Sequence, residues 1–410
     1  MNKIFIVLSA LIFFVSSAIC EVVSREIVCA QTLQNNPSII AAKLKLDNAR
    51  LAYNRSLGAY FPVASLSGSS GQGETNGGYS RDYSFGLNVS LSVFSGFETY
   101  NDVKIKSVEV NSSQISYNRT VSDALYETIV QYVNLVWAYE TAELSKQIYE
   151  RRKENRDMIN LKYNSGNVDV GSLERVEADV EMAGYDLRKA KRYIETASAA
   201  LLKAIGRNGD AILETSEKLE LDAAEIKKPD FNVLVAQLPE FLTVKFSAQI
   251  AKLQAAKTKN LWMPDISVSG AISRSGGQWF PDNRRWNAGI SVSYTLFNGG
   301  QRYADVKSAK NLAQIAEENL KDSVNSLKAK AVARYNSLAD YYENVAVRRH
   351  YLKAASLQAE ISARKYVNGL TTYQDWYSIE NDFINSQKNL LDAKKNASLE
   401  KAAWDNFLGK

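Results

Sequence analysis

The chain has 410 residues, a formal net charge of +5, one histidine and two cysteines. No Lys/Arg run is dense enough for a nucleic-acid footprint. The lone His350 can build neither a histidine metal cluster nor a Ser-His-Asp arrangement, so no catalytic centre and no cofactor site is legible.

Lys3, the apolar run from Ile4 to Val15 and the small residues Ser16, Ser17 and Ala18 follow the order of a secretory signal peptide, so residues 1–20 are expected to be removed. Cys20 closes a stretch that faintly resembles a lipobox, with bulky Ile19 where Gly or Ala is usual; a lipid anchor there is the minority reading. Loss of Cys20 leaves Cys29 unpaired, which excludes a disulfide framework. Beyond the leader, no segment reaches the roughly 18 apolar residues of a membrane-spanning helix.

Pro37 opens a short helical pattern to Leu57, and Pro62 ends it before an alternating stretch from Val63. Tyr83, Phe85, Leu87, Val89, Leu91 and Val93 then alternate with Ser84, Gly86, Asn88, Ser90 and Ser92, a period of two that predicts a strand over about 83–94. The glycine-rich run Gly71–Gly78 reads as the loop joining it to a strand at about 63–70. After Gly96, about Tyr100 to Tyr163 contains no proline or internal glycine and predicts one very long helix, which Gly166 breaks with a left-handed turn. Val176, Val180, Ala183, Leu187, Ala190, Ile194, Ala197 and Leu201 then follow alternating spacings of four and three, a coiled-coil seam.

The second half repeats this order. Pro264 lies 202 residues after Pro62, Gly299 lies 203 after Gly96, and Gly369 lies 203 after Gly166. Strands are expected at about 265–274 and 286–297, separated by a loop from Ser275 to Arg285. A helix over about Tyr303–Tyr366 follows, with a seam through Ile379, Phe383, Ser386, Leu390, Ala393, Ala397, Glu400 and Trp404. One unit has been duplicated. The expected division is a leader at 1–20, a first repeat at 21–206, a linking segment at 207–237 and a second repeat at 238–410.

The four strands resemble a membrane barrel wall, apolar on one face and small and polar on the other. Four strands cannot close a barrel, so cyclic symmetry is expected, with three copies as the simplest solution. A non-transport adhesive coiled coil, with Trp279 and Phe280 as contact residues, is the alternative.

The leader, the duplicated helix-strand-strand-helix-helix order, the Pro62 and Pro264 junctions, Val93-Phe94-Ser95-Gly96 with Leu296-Phe297-Asn298-Gly299, and the tips at Tyr163–Gly166 and Tyr366–Gly369 together resemble the TolC family of outer-membrane efflux and type I secretion channels. The resemblance implies an α+β fold: a homotrimer whose 12-stranded barrel in outer-membrane lipid continues into a periplasmic α-helical barrel. It also implies a periplasmic adaptor and an inner-membrane transporter as partners, with no nucleic acid. By the same resemblance the periplasmic end is narrowed near the second tip, where Tyr366 and Asp375 match the family's tyrosine and first aspartate. Thr371 stands where an arginine is expected, Ser378 where a second aspartate is expected, and Ser172 where a first-tip aspartate is expected, with Asp169 nearby. Asp375 has an equal local reading, as the N3 carboxylate of a capping box, Thr372-x-x-Asp375.

Overall fold

The computed structural model describes residues 21–75, 78–209, 211–220 and 228–410. The leader and Cys20 lie outside them. A short strand β1 (Glu21–Val22) precedes α1 (Arg25–Asn35) and α2 (Pro37–Leu57). Strands β2 (Val63–Thr75) and β3 (Gly78–Ser95) lead into α3 (Glu98–Asn164) and α4 (Val170–Ala204). The linking segment contributes β4 (Leu213–Glu214), parallel to β1, and α5 (Phe231–Gln237). The second unit is α6 (Pro239–Lys259), β5 (Asp265–Gly276), β6 (Asn283–Ser293), α7 (Gln301–Val367) and α8 (Tyr373–Phe407).

The halves agree in length as well as order. Helices α2 and α6 each have 21 residues, α3 and α7 each have 67, and α4 and α8 each have 35. At 1.5 Å per residue the long pair run about 100 Å. Pro37 and Pro239 occupy the first turns of α2 and α6, where a missing N–H costs nothing. At both tips the chain reverses through a Schellman turn: Asn167 N–H donates to Lys162 O and Leu370 N–H to Lys365 O, with φ of +77° at Gly166 and +70° at Gly369.

Helix α3 is the spine. It packs on α4 at the tip end, on α2 and α6 at the sheet end, and on α8 across the repeat boundary. The largest core lies midway, where Val23, Val28, Leu135, Val136, Leu201, Ile205 and Leu213 meet. The linking segment is tied there: the Tyr139 hydroxyl donates to Leu213 O at 2.9 Å and Leu219 N–H donates to the Glu140 carboxylate at 2.8 Å.

The first seam is buried or half-buried throughout. The second is mixed, with Ala393 and Ala397 buried and Ile379, Phe383, Ser386, Leu390, Glu400 and Trp404 half-buried. Helix α8 packs on both α7 and α3, so it also buries a second row, Trp376, Tyr377, Glu380, Ile384 and Leu391.

The four long strands form one antiparallel sheet in the order β2-β3-β5-β6. Direct cross-strand neighbours share a face. Leu66, Leu87, Ile272 and Trp286 therefore make one row, and Ala64, Val89, Gly270 and Ala288 the next. The opposite face carries Ser65, Asn88, Ala271 and Asn287, then Ser67, Gly86, Ser273 and Arg285. From Phe85 to Phe94 the apolar band rises roughly 25 Å once strand tilt is allowed for. Aromatic residues flank it at both ends: Trp279 packs edge-on against Tyr83 at 5.4 Å and Phe85 at 6.0 Å, and Phe94 packs against Phe97 at 5.2 Å.

Several strand boundaries differ from the expected ones. Gly71–Thr75 is strand rather than loop, paired with Gly78–Asp82, because a ladder of backbone bonds tolerates small residues that carry little strand propensity. Strand β5 likewise runs on to Gly276, and β6 starts at Asn283, inside the expected loop. Strand β6 stops at Ser293 rather than near 297, because its last partner, Asp265, begins β5; Tyr294–Phe297 has no ladder to join there. A bulge between Ser92 and Phe94 lets β3 extend to Ser95. At the return to helix, a Cβ at Gly96 would stand 2.8 Å from Asn260 O, and φ there is +56°. No described helix is long and apolar enough to cross a membrane.

Register makes the two faces testable. Leu87→Arg should cost roughly 2–4 kcal/mol near a bilayer midplane and block membrane assembly, whereas Ser90→Arg, on the opposite face, should assemble and reduce conductance. Folding yield in lipid vesicles checks this, and equal tolerance on both faces would exclude a lipid-facing sheet.

Candidate functional site: the helical tips and the sheet faces

The tips are built by matched caps. At the start of α4, the Asp169 carboxylate accepts from Ser172 N–H at 2.9 Å and from the Ser172 hydroxyl at 2.8 Å. At the start of α8, the Thr372 hydroxyl accepts from Asp375 N–H at 3.1 Å and donates to the Asp375 carboxylate at 2.7 Å. Positions 169 and 372 correspond across the repeat, as do 172 and 375, so hydroxyl and carboxylate have exchanged places. Each tip keeps one carboxylate at its helix N-terminus, where the dipole favours it. The Ser172 bonds hold the Asp169 carboxyl below its ordinary pKa.

Behind the caps the two tips share an aromatic core. Tyr366 stacks on Trp376 at 4.9 Å, Tyr373 stacks on Tyr377 at 5.6 Å, and Ile159 and Val176 complete the cluster. Lys162 reaches across from α3, 4.8 Å over the Tyr366 ring and within 3.3 Å of its carbonyl. The Tyr373 hydroxyl donates to Ser172 O at 3.4 Å, and burial, then the Tyr377 and Asp179 charges, push its pKa up to about 12. The Tyr366 hydroxyl is buried with no hydrogen-bond partner among the described residues, and burial raises its pKa.

Asp169, Tyr366 and Thr371 line one groove between the tips. Asp375 and Ser378 are outside its lining, exposed on a face of α8 that continues to Asp382, although the Asp375 carboxylate bonds Thr372 of the groove. That i, i+3, i+7 row is visible in the sequence, yet Asp382 was not among the expected site residues.

Sequence reasoning also missed a buried ion pair. Glu380 is 1% exposed and takes a two-pronged ion pair from Arg151 of α3, with Nη2 to Oε2 at 2.9 Å. Asn155 donates to the same carboxylate at 3.2 Å. Beside it, Arg152 bonds Asn381 of α8 and pairs with Asp179 of α4 at 3.4 Å, so three helices meet. The pair raises the pKa of Arg151. Its repeat counterparts are Ala354 and Glu177, so the duplicated position has no such ion pair. The only sequence signal was a carboxylate set within the apolar row of Trp376, Tyr377 and Ile384.

The profile of the outer membrane efflux protein family matches residues 28–207 and 233–410. The chain belongs to that family. It is 20% identical to the outer membrane efflux protein BepC of Brucella suis, over 99% of this chain and 89% of that one. Identity to the outer membrane protein TolC of Escherichia coli is 19%, over 93% and 81%. The open-state structure of the MtrE outer membrane channel of Neisseria gonorrhoeae superposes with a TM-score of 0.82 at 16% identity, over 94% and 88% of the two chains. The likeness fixes the fold, and the family places the chain at the outer membrane, extending into the periplasm. The adhesive alternative finds no support, and Trp279 folds back onto the apolar sheet face.

Arg151→Ala should destabilise the tip region by about 3–5 kcal/mol, because it strands a buried carboxylate. Glu380→Ala should cost less, since Arg151 is 36% exposed and can turn to water. The double variant should recover part of the loss. Denaturant unfolding checks the order, and an Arg151→Ala no worse than the double variant would show that Glu380 does not need its partner.

Proposed function

We propose that this chain is one protomer of a homotrimeric outer-membrane channel that passively conducts substrates delivered by an inner-membrane transporter through a periplasmic adaptor. The observation that carries the reading is the sheet: one face apolar, the other serine- and glycine-rich, and both edges, β2 and β6, unpaired among the described residues. Open edges in hydrocarbon cost several kcal/mol per unpaired backbone group, and three copies supply a closed 12-stranded wall.

The helices carry matching open flanks. Leu312, Ile315, Tyr351, Leu357 and Ile361 of α7 are exposed, as are Leu44 and Leu51 of α2 and Met182 and Tyr185 of α4. Seating α7 of one copy on α2 and α4 of the next would cover both sets and keep the strand order intact. The small side chains of the polar sheet face suit an open lumen rather than a filled barrel.

At the periplasmic end, Asp375, Ser378 and Asp382 would line the narrowest turn of three α8 helices. Tyr366 would act through packing, as the buried support of the second tip, with Thr371 and Asp169 in the groove beside it and Ser172 bonded to the Asp169 cap. Clustered carboxylates favour cations.

Purified protein should insert into planar bilayers as trimers with discrete conductance; a monomeric mass in lipid together with no conductance would refute the channel. Asp375→Asn should weaken divalent-cation block several-fold. Unchanged block would leave Asp375 with its capping role alone.

A further inference from the structure

The apolar sheet face ends outward, away from the helices, in a row that is not apolar. Phe85 pairs with Arg274, and Arg274 pairs with Arg284. Register places both arginines on the same face as Leu87, Ile272 and Trp286, one row further from the helices. Both are exposed. Among the described residues neither guanidinium has a carboxylate partner. The nearby acids are placed elsewhere: Asp82 is on the lumen face opposite Gly71, Asp282 precedes β6, and Glu74 lies further out, opposite Tyr79.

Like charges directly opposite each other on one sheet face destabilise it, so this arrangement calls for a counter-anion. Its depth says which kind. The row sits at the outer limit of the apolar band, beside the indole of Trp279 packed on Tyr83 and Phe85, and one row from Trp286. Interfacial aromatics mark the level of lipid headgroups. Arginine presents a planar fork of donors that matches phosphate in two-pronged fashion.

We propose that Arg274 and Arg284 form a binding site for the phosphate of an outer-leaflet lipid headgroup, which neutralises the pair and fixes the barrel's depth. The site rests on the apolar face being the lipid face. The adjacent Arg285 provides an internal control, since it carries the same charge one residue away but faces the lumen with Gly86 and Ser273.

The test uses the full channel in nanodiscs supplied with diphosphorylated lipid A, or with the same lipid after phosphatase treatment, and counts retained lipid by native mass spectrometry. The wild type should retain the phosphorylated lipid at least tenfold better than the dephosphorylated one. Arg274→Gln with Arg284→Gln should abolish that preference at unchanged conductance, whereas Arg285→Gln should keep the preference and alter conductance. Preserved preference in the double variant, or an equal loss in Arg285→Gln, would overturn the site while conducting channels leave the barrel standing. A wild type that neither inserts nor conducts would overturn the barrel and the site together.

Discussion

A β-sheet edge cannot be left bare in hydrocarbon, and this chain has two such edges. Its sheet is wide enough to separate an oily face from a polar one and too narrow to curl shut. That insufficiency sets the rest of the design. Each strand pair must enter and leave through helices on the same side, so both turns at the far end are hairpins and both returns from strand to helix at the near end need special backbone. Gly96 and Phe97 supply it in the first unit, and Gly299 and Gly300 in the second, all at positive φ. Phe97 is the one non-glycine among the described residues that adopts such a φ, beside the ring of Phe94.

Duplication gives the two halves the same frame and leaves their chemistry free to diverge. The caps show the mildest divergence, because exchanging hydroxyl and carboxylate conserves the hydrogen bonds while moving the charge by one turn. Arg151 and Glu380 show a stronger one. The junction of α3 with α8 inside the chain is fastened by a buried ion pair, and the equivalent junction of α7 with α4, where neighbouring copies would meet, has Ala354 facing that role. The seam within a chain and the seam between copies of the proposed trimer would therefore differ in what must be broken to separate them.

Much of this was legible in the sequence because it rests on period. Alternation between Tyr83 and Val93, the four-three spacing after Gly166 and the recurrence of proline and glycine are one-dimensional signals. The strand from Gly71 to Thr75 was hidden because backbone pairing needs no characteristic side chain. The end of β6 was hidden because it depends on where a different strand begins. The ion pair joins residues 229 apart in sequence, and no local pattern marks Arg151 as the partner of Glu380. Where the candidate site residues sit was hidden for the same reason: Asp169, Tyr366 and Thr371 line one groove, and Asp375 and Ser378 lie outside its lining.

The equal helix lengths bear on which length changes the chain can survive. The two hairpins stand side by side from one sheet, so removing one residue from α3 alone would rotate its seam by about 100° and lower one tip relative to the other. The frame should tolerate insertions and deletions only where the chain is not held in register by a neighbour: the outer hairpin turns and the linker after Arg207. The stretch from 208 to 232, which the family profile leaves unmatched, lies in that linker.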